Sequence, residues 1–110
     1  MQIEVRQIGN VTILDFKGKM TLGEVDMLRD QVDKLLDQGV RHLLLNLKDV
    51  SCIDNAGLDE IVRNYISARQ AGGSFKFMKV TKRVMDLFAI TKFLTIFQVF
   101  EDEQEALESF

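Results

Sequence analysis

A chain of 110 residues with 46% apolar content can bury one hydrophobic core and is short for a second domain. Its formal net charge of -3 makes nucleic acid an unnatural partner, and a single Cys and single His leave neither a disulfide framework nor a structural zinc set. No run approaches the roughly 20 apolar residues of a membrane span, and the charges within Met1–Asn10 are unlike a signal peptide, so the expectation is a cytoplasmic domain with no membrane association.

Ile3, Val5 and Ile8 suggest a first strand, Gly9 and Asn10 a hairpin turn, and Val11, Ile13, Leu14 and Phe16 the start of a second strand antiparallel to it. Thr21 with Glu24 fits a capping box for a helix whose apolar stripe is Val25, Leu28, Val32, Leu35 and Leu36, ending at Gly39. Arg41 to Leu47 is apolar enough for a strand buried on both faces. A loop from Lys48 to Asn55 is then expected, before a second helix with Leu58, Ile61, Val62, Tyr65 and Ile66 on one face that stops at Gly72-Gly73.

Phe75, Phe77, Met78 and Val80 form the next strand, Lys82 to about Thr91 a third helix, and Ile96 to Phe100 the last strand. Ala106, Leu107 and Phe110 mark a short terminal helix. A hairpin followed by alternating helices and strands requires crossover connections. The expected fold is α/β: one domain over residues 1–110 with a mixed, mostly parallel sheet, an N-terminal antiparallel hairpin and about four helices. Lys76, Lys79, Lys82, Arg83 and Lys92 read as a solvated strand edge and helix face, without the interleaved aromatics of a nucleic-acid reader.

Function is expected where the buried strand passes into the second helix, at the carboxyl edge of the sheet. Asp54, Asn55, Ala56 and Gly57 occupy that edge, and Asp54 or Asn55 can satisfy the orphan N-H groups of the helix start. Asp59 and Glu60 complement its dipole from the first turn. Catalysis has no support: His42 begins the buried strand far from the loop, Cys52 has no activating partner, and Asp15, Asp49 and Asp54 read as solvated carboxylates rather than a metal cluster. No phosphate-binding glycine loop is present, so neither cofactor nor metal is expected. A small anion at the helix start near Lys48 or Lys19, or self-association through off-stripe Met27, Met85 or Phe93, are the other readings.

The order of hairpin, buried strand, Asp-x-x-Gly-Leu loop and helix resembles the STAS family of anti-sigma-factor antagonists, most specifically in LNLKDVSCIDNAGLDEIV. AGGSFKFMKV and KRVMDLFAITKFLTIFQVF are similar to the family's later elements, with Lys92 where a glycine is frequent. The resemblance implies a bacterial transcription regulator that works by partner switching: the unmodified domain binds a serine-kinase anti-sigma factor, and phosphorylation of the first hydroxyl residue after the loop Asp reverses this. Here that position is Asn55, followed by Ala56, and neither side chain can be phosphorylated on oxygen. The implied partner surface is Asp54, Asn55, Ala56, Gly57 and Leu58 with exposed helix positions such as Asp59 and Arg63. A scaffold role is also open, and Ser51 and Thr21 are read as turn or cap residues rather than substitute phosphosites.

Overall fold

The computed structural model describes all of residues 1–110. One five-stranded sheet runs in the order β1 (Gln2–Ile8), β2 (Val11–Met20), β3 (His42–Ile53), β4 (Ser74–Met78) and β5 (Val99–Phe100). The first pair is antiparallel and the remaining three are parallel, as the chain order of strands and helices requires. Four α-helices accompany the sheet: α1 (Asp26–Asp37), α2 (Asn55–Gln70), α3 (Lys82–Ile90) and α4 (Glu103–Glu108).

Two cores use the two faces of the sheet. Leu43, Leu45 and Leu47 alternate onto one face with Leu14, Phe16, Phe75 and Phe77, where the apolar stripes of α1, α2 and α3 cover them. Leu44 points the other way and joins Val11, Ile13 and Met78 beneath Ala106 of α4. The unbroken leucine run therefore reflects burial on both sides, as in central parallel strands. Two polar ties hold α4 to this second face. Arg6 bridges Asp15 and Glu103, the latter at 2.7 Å, and the Lys76 ammonium donates to the Ser109 carbonyl at 2.7 Å. Burial pushes the Lys76 amine below its ordinary pKa, while the hydrogen bonds that the Arg6 guanidinium donates to Asp15 and Glu103 raise its own.

Four expectations about helix caps and strand bounds need correction, and in addition Lys76 is buried rather than solvated and Ile66 is exposed rather than on the buried face of α2. Thr21 and Glu24 form no capping box: α1 begins after Val25 without a side-chain cap, and the Glu24 carboxylate instead pairs with the Met1 amino group at 2.9 Å. Lys48 to Ile53 is not a loop but the second half of β3, which pairs with Lys17 to Met20 across two register shifts. Those shifts and the solvent on one side explain why this half lacks the apolar continuity of the first. β4 ends at Met78 rather than Val80, with Lys79 in a left-handed conformation at φ 55°. The last strand is only Val99–Phe100, because Phe97 turns inward among Phe77, Phe88 and Phe93, at ring separations of 4.8, 5.3 and 5.4 Å. The chain leaves the sheet plane there as a 3-10 turn, Phe93–Thr95.

The ends of α1, α2 and α3 share one device. Gly39 follows α1 at φ 92° and Gly72 follows α2 at φ 84°, each donating to a carbonyl of the last turn. Lys92 occupies the same position after α3 at φ 64°, its N-H on the Ala89 carbonyl at 3.1 Å. A left-handed L-residue costs roughly 1–2 kcal/mol, against roughly 0.5–1 kcal/mol of backbone entropy for glycine. Lys92→Gly is therefore expected to stabilise the fold by about 0.5–1 kcal/mol. A higher urea midpoint at unchanged slope would meet that expectation, and a lower one would show that the lysine stem contributes packing.

Candidate functional site

The carboxyl ends of β2 and β3 lie side by side, and Asp54 follows β3 directly. Its backbone is extended (φ -94°, ψ -176°), the geometry of an N-cap. One carboxylate oxygen, Oδ1, accepts the N-H of Gly57 at 2.8 Å, while Oδ2 accepts the N-H of Leu22 at 3.0 Å. The Asp54 N-H in turn donates to the Met20 carbonyl at 3.2 Å. One exposed residue thus caps α2 and fastens the segment between β2 and α1 against it. The N-H groups of Leu22 and then Gly57 hold its carboxyl below the usual carboxylate range.

Gly57 is required by proximity rather than by backbone angle. A Cβ there would lie 2.1 Å from the Met20 carbonyl oxygen and 3.0 Å from Ile53 Cγ2. Gly57 and Leu58 are buried and seat the start of the helix. The exposed residues are Asp54, Asn55 and Asp59, with Ala56 partly accessible. Asn55 is the first residue of α2; its side chain makes no hydrogen bond within the chain, and the capping role falls to Asp54 alone. Leu22, which sequence reasoning did not single out, is 80% exposed and sits beside the cap, with Met27 also exposed on the first turn of α1. Its only sequence signal was an apolar residue off the helical stripe.

Arg63 is half-buried and committed to ion pairs rather than free, with Asp33 at 3.3 Å and Glu60 at 3.5 Å. Glu60 is not an exposed first-turn acid: it is buried between α1 and α2, where Arg29 grips both oxygens at 3.0 and 2.6 Å and Asn64 donates at 3.1 Å. Burial alone would raise its pKa, but the Arg29 hydrogen bonds and charge outweigh it and leave the carboxyl below the ordinary range. This cluster locks the angle between the two helices that frame the cap. The pairing of a helix-2 acid with a helix-1 arginine has no signature in either helix read alone.

The remaining candidates are dispersed. Asp15 is tied to Arg6 and to Asn46, Asp49 pairs in register with Lys17, and neither approaches Asp54. Desolvation would raise the Asp15 carboxyl, yet hydrogen bonds from Arg6 and Asn46 carry it below its ordinary value. His42 is half-buried at the opposite end of β3, edge-on to Phe110 at 5.7 Å with Nδ1 unpartnered, neither solvent-exposed nor hydrogen-bonded through that nitrogen. Lys48 is six residues back along β3, about 20 Å from the cap on an extended strand. Lys19 pairs with Cys52 in register on the neighbouring strand. Ser51 donates to the Gly18 carbonyl at 3.3 Å, and Cys52 is half-buried in a groove against Leu87 and Ile90 of α3. Of the off-stripe residues, Met27 is exposed, Met85 is half-buried and Phe93 packs on the main core.

A family model for the STAS domain matches residues 2–106. The anti-sigma-B factor antagonist of Bacillus subtilis (strain 168) is 31% identical over 91 residues, covering 83% of each chain. Among solved structures, one from Thermotoga maritima described as a candidate anti-sigma factor antagonist superposes with a TM-score of 0.92 at 24% identity, covering 97% of this chain and 92% of that one. The phosphorylated form of the Bacillus cell fate determinant SpoIIAA superposes at 0.78 with 14% identity and 98% coverage of both chains. At these identities the two structures establish the fold.

Two outcomes follow from the cap. Gly57→Val must displace the Met20 backbone and is expected to cost at least about 3 kcal/mol in chemical denaturation. Asp54 and Glu60 both have depressed folded-state pKa values, so their contribution to stability is complete above about pH 5 and is lost as pH falls through those values. Urea midpoints measured from pH 7 down to pH 3 should decline, and Asp54→Asn should flatten that decline. An identical acid limb in the variant would show that the cap carboxylate is not linked to folding.

Proposed function

Because the chain belongs to the STAS domain family, we propose that it is a non-catalytic anti-sigma-factor antagonist that docks on an anti-sigma factor of the serine-kinase type. The docking surface is the start of α2, Asp54, Asn55, Ala56 and Asp59, together with the adjoining Leu22. Gly57 and Leu58 support that surface from beneath, and Arg63 holds the helix pair in position through Asp33 and Glu60. The observation that carries the reading is the exposed, unbonded Asn55 at the first position of a helix whose cap is already complete.

SpoIIAA exists in phosphorylated and unphosphorylated forms. In this chain the corresponding position offers an amide, and Ala56 offers no acceptor. A phosphate would bring about -1.5 to -2 charges to a surface that already carries Asp54 and Asp59. With an amide in its place the domain stays in its binding-competent form, and release of the sigma factor is governed by the abundance of the domain rather than by its modification.

Affinity capture from the source cell's lysate, read by mass spectrometry, is expected to recover a serine-kinase anti-sigma protein with the native domain. Asn55→Glu should fold normally, since an acid suits the first turn of a helix, yet lose about 2 kcal/mol of binding, a roughly 30-fold weaker complex. Incubation with the recovered kinase and ATP should leave the native domain unmodified, while Asn55→Ser acquires one phosphate. Equal capture by both forms, or phosphate on the native domain, would overturn the reading.

A further inference from the structure

The opposite end of α2 borders a cleft of about 350 Å³ that the proposed partner surface does not use. It exists because β5 is too short to cover β4. Along β4 the backbone donors alternate: Ser74 donates to Arg41 of the β3 side at 2.7 Å, whereas Phe77 and Lys79 donate to Gln98 and Phe100 on the β5 side at 3.0 and 2.8 Å. Phe75 faces the same way as Phe77, but β5 pairs only with Phe77 and Met78, so the Phe75 N-H looks into the cleft. Around it stand Tyr65 and Arg69 from the last turns of α2, the Ser74 hydroxyl, and Thr95 and Gln98 from the segment that leaves the sheet.

The chemistry of this lining is one-sided. Arg69 lies over the Tyr65 ring at 6.0 Å and enters no ion pair, although acids outnumber bases 17 to 14 in the chain. No Asp or Glu lines the cleft, while a guanidinium, a strand-edge N-H, the three hydroxyls of Tyr65, Ser74 and Thr95, and an amide do. A planar guanidinium beside a fixed N-H suits a two-oxygen anionic group, and the volume suits a metabolite-sized molecule. We infer that this cleft between the end of α2 and the uncovered edge of β4 binds a small organic oxyanion, a carboxylate or a phosphate ester. Arg69 takes the charge, and the N-H of Phe75 fixes its orientation.

Inorganic phosphate and citrate, titrated separately into ¹⁵N-labelled protein at constant ionic strength, test this. The expected result with at least one of them is saturable amide shifts confined to residues 69–76 and 95–98, with Leu22 and Gly57 unmoved. Arg69→Ala should weaken that binding at least about tenfold at an unchanged melting temperature, and Arg69→Lys should fall between, because it keeps the charge and loses the fork. Which probe binds separates phosphate from carboxylate chemistry. Absence of saturable shifts with both, shifts centred on the start of α2, or an Arg69→Ala variant that binds unchanged would each overturn the assignment.

Discussion

The carboxylate of Asp54 accepts two backbone N-H groups from segments far apart in sequence, and the edge of the molecule where β2 and β3 end is organised by that fact. Without it, the start of α2 and the crossover from β2 to α1 would be two independent loops. With it, Leu22, Asn55 and Asp59 belong to one surface whose shape is set by hydrogen bonds to rigid strand ends. The absent side chain at Gly57 is the other half of the same constraint, since the Met20 carbonyl occupies the space a Cβ would need. The cap and the glycine are three residues apart because the geometry of a first helical turn places them there.

Much of this architecture was legible in the order of apolar residues. The leucine run at Leu43–Leu45, the stripes at Leu28, Val32 and Leu35, and the stops at Gly39 and Gly72 each correspond to a strand, a buried face or a helix end. What escaped was set by partners distant in sequence. Lys48 to Ile53 reads as a loop because its strand character comes from β2, not from its own alternation. The last strand reads too long because Phe97 has both the propensity for a strand and a better place among three phenylalanine rings.

The site divides along the same line. Asp54 as a helix cap could be read from the local spacing alone, since capping involves residues within one turn. The burial of Glu60 and the half-burial of Arg63 could not, because the Arg29 that neutralises the acid comes from a different helix. A charged triad packed between two helices contributes little net stability compared with an apolar contact of equal size, yet it tolerates few alternative geometries. Its role in this fold is to fix how α1 and α2 sit, and hence where Leu22 and Met27 stand relative to the cap.

The freedom of the Asn55 side chain has an evolutionary corollary. Asparagine and serine codons of the AAY and AGY types differ by a single transition, and an exposed side chain that makes no hydrogen bond in its own fold can be exchanged with little disturbance to that fold. The backbone at this position is held by Asp54 and Gly57, so it would present a hydroxyl in the same place as the amide. A single point mutation at this position can therefore exchange the amide for a hydroxyl while the bonds that hold the start of α2 stay in place.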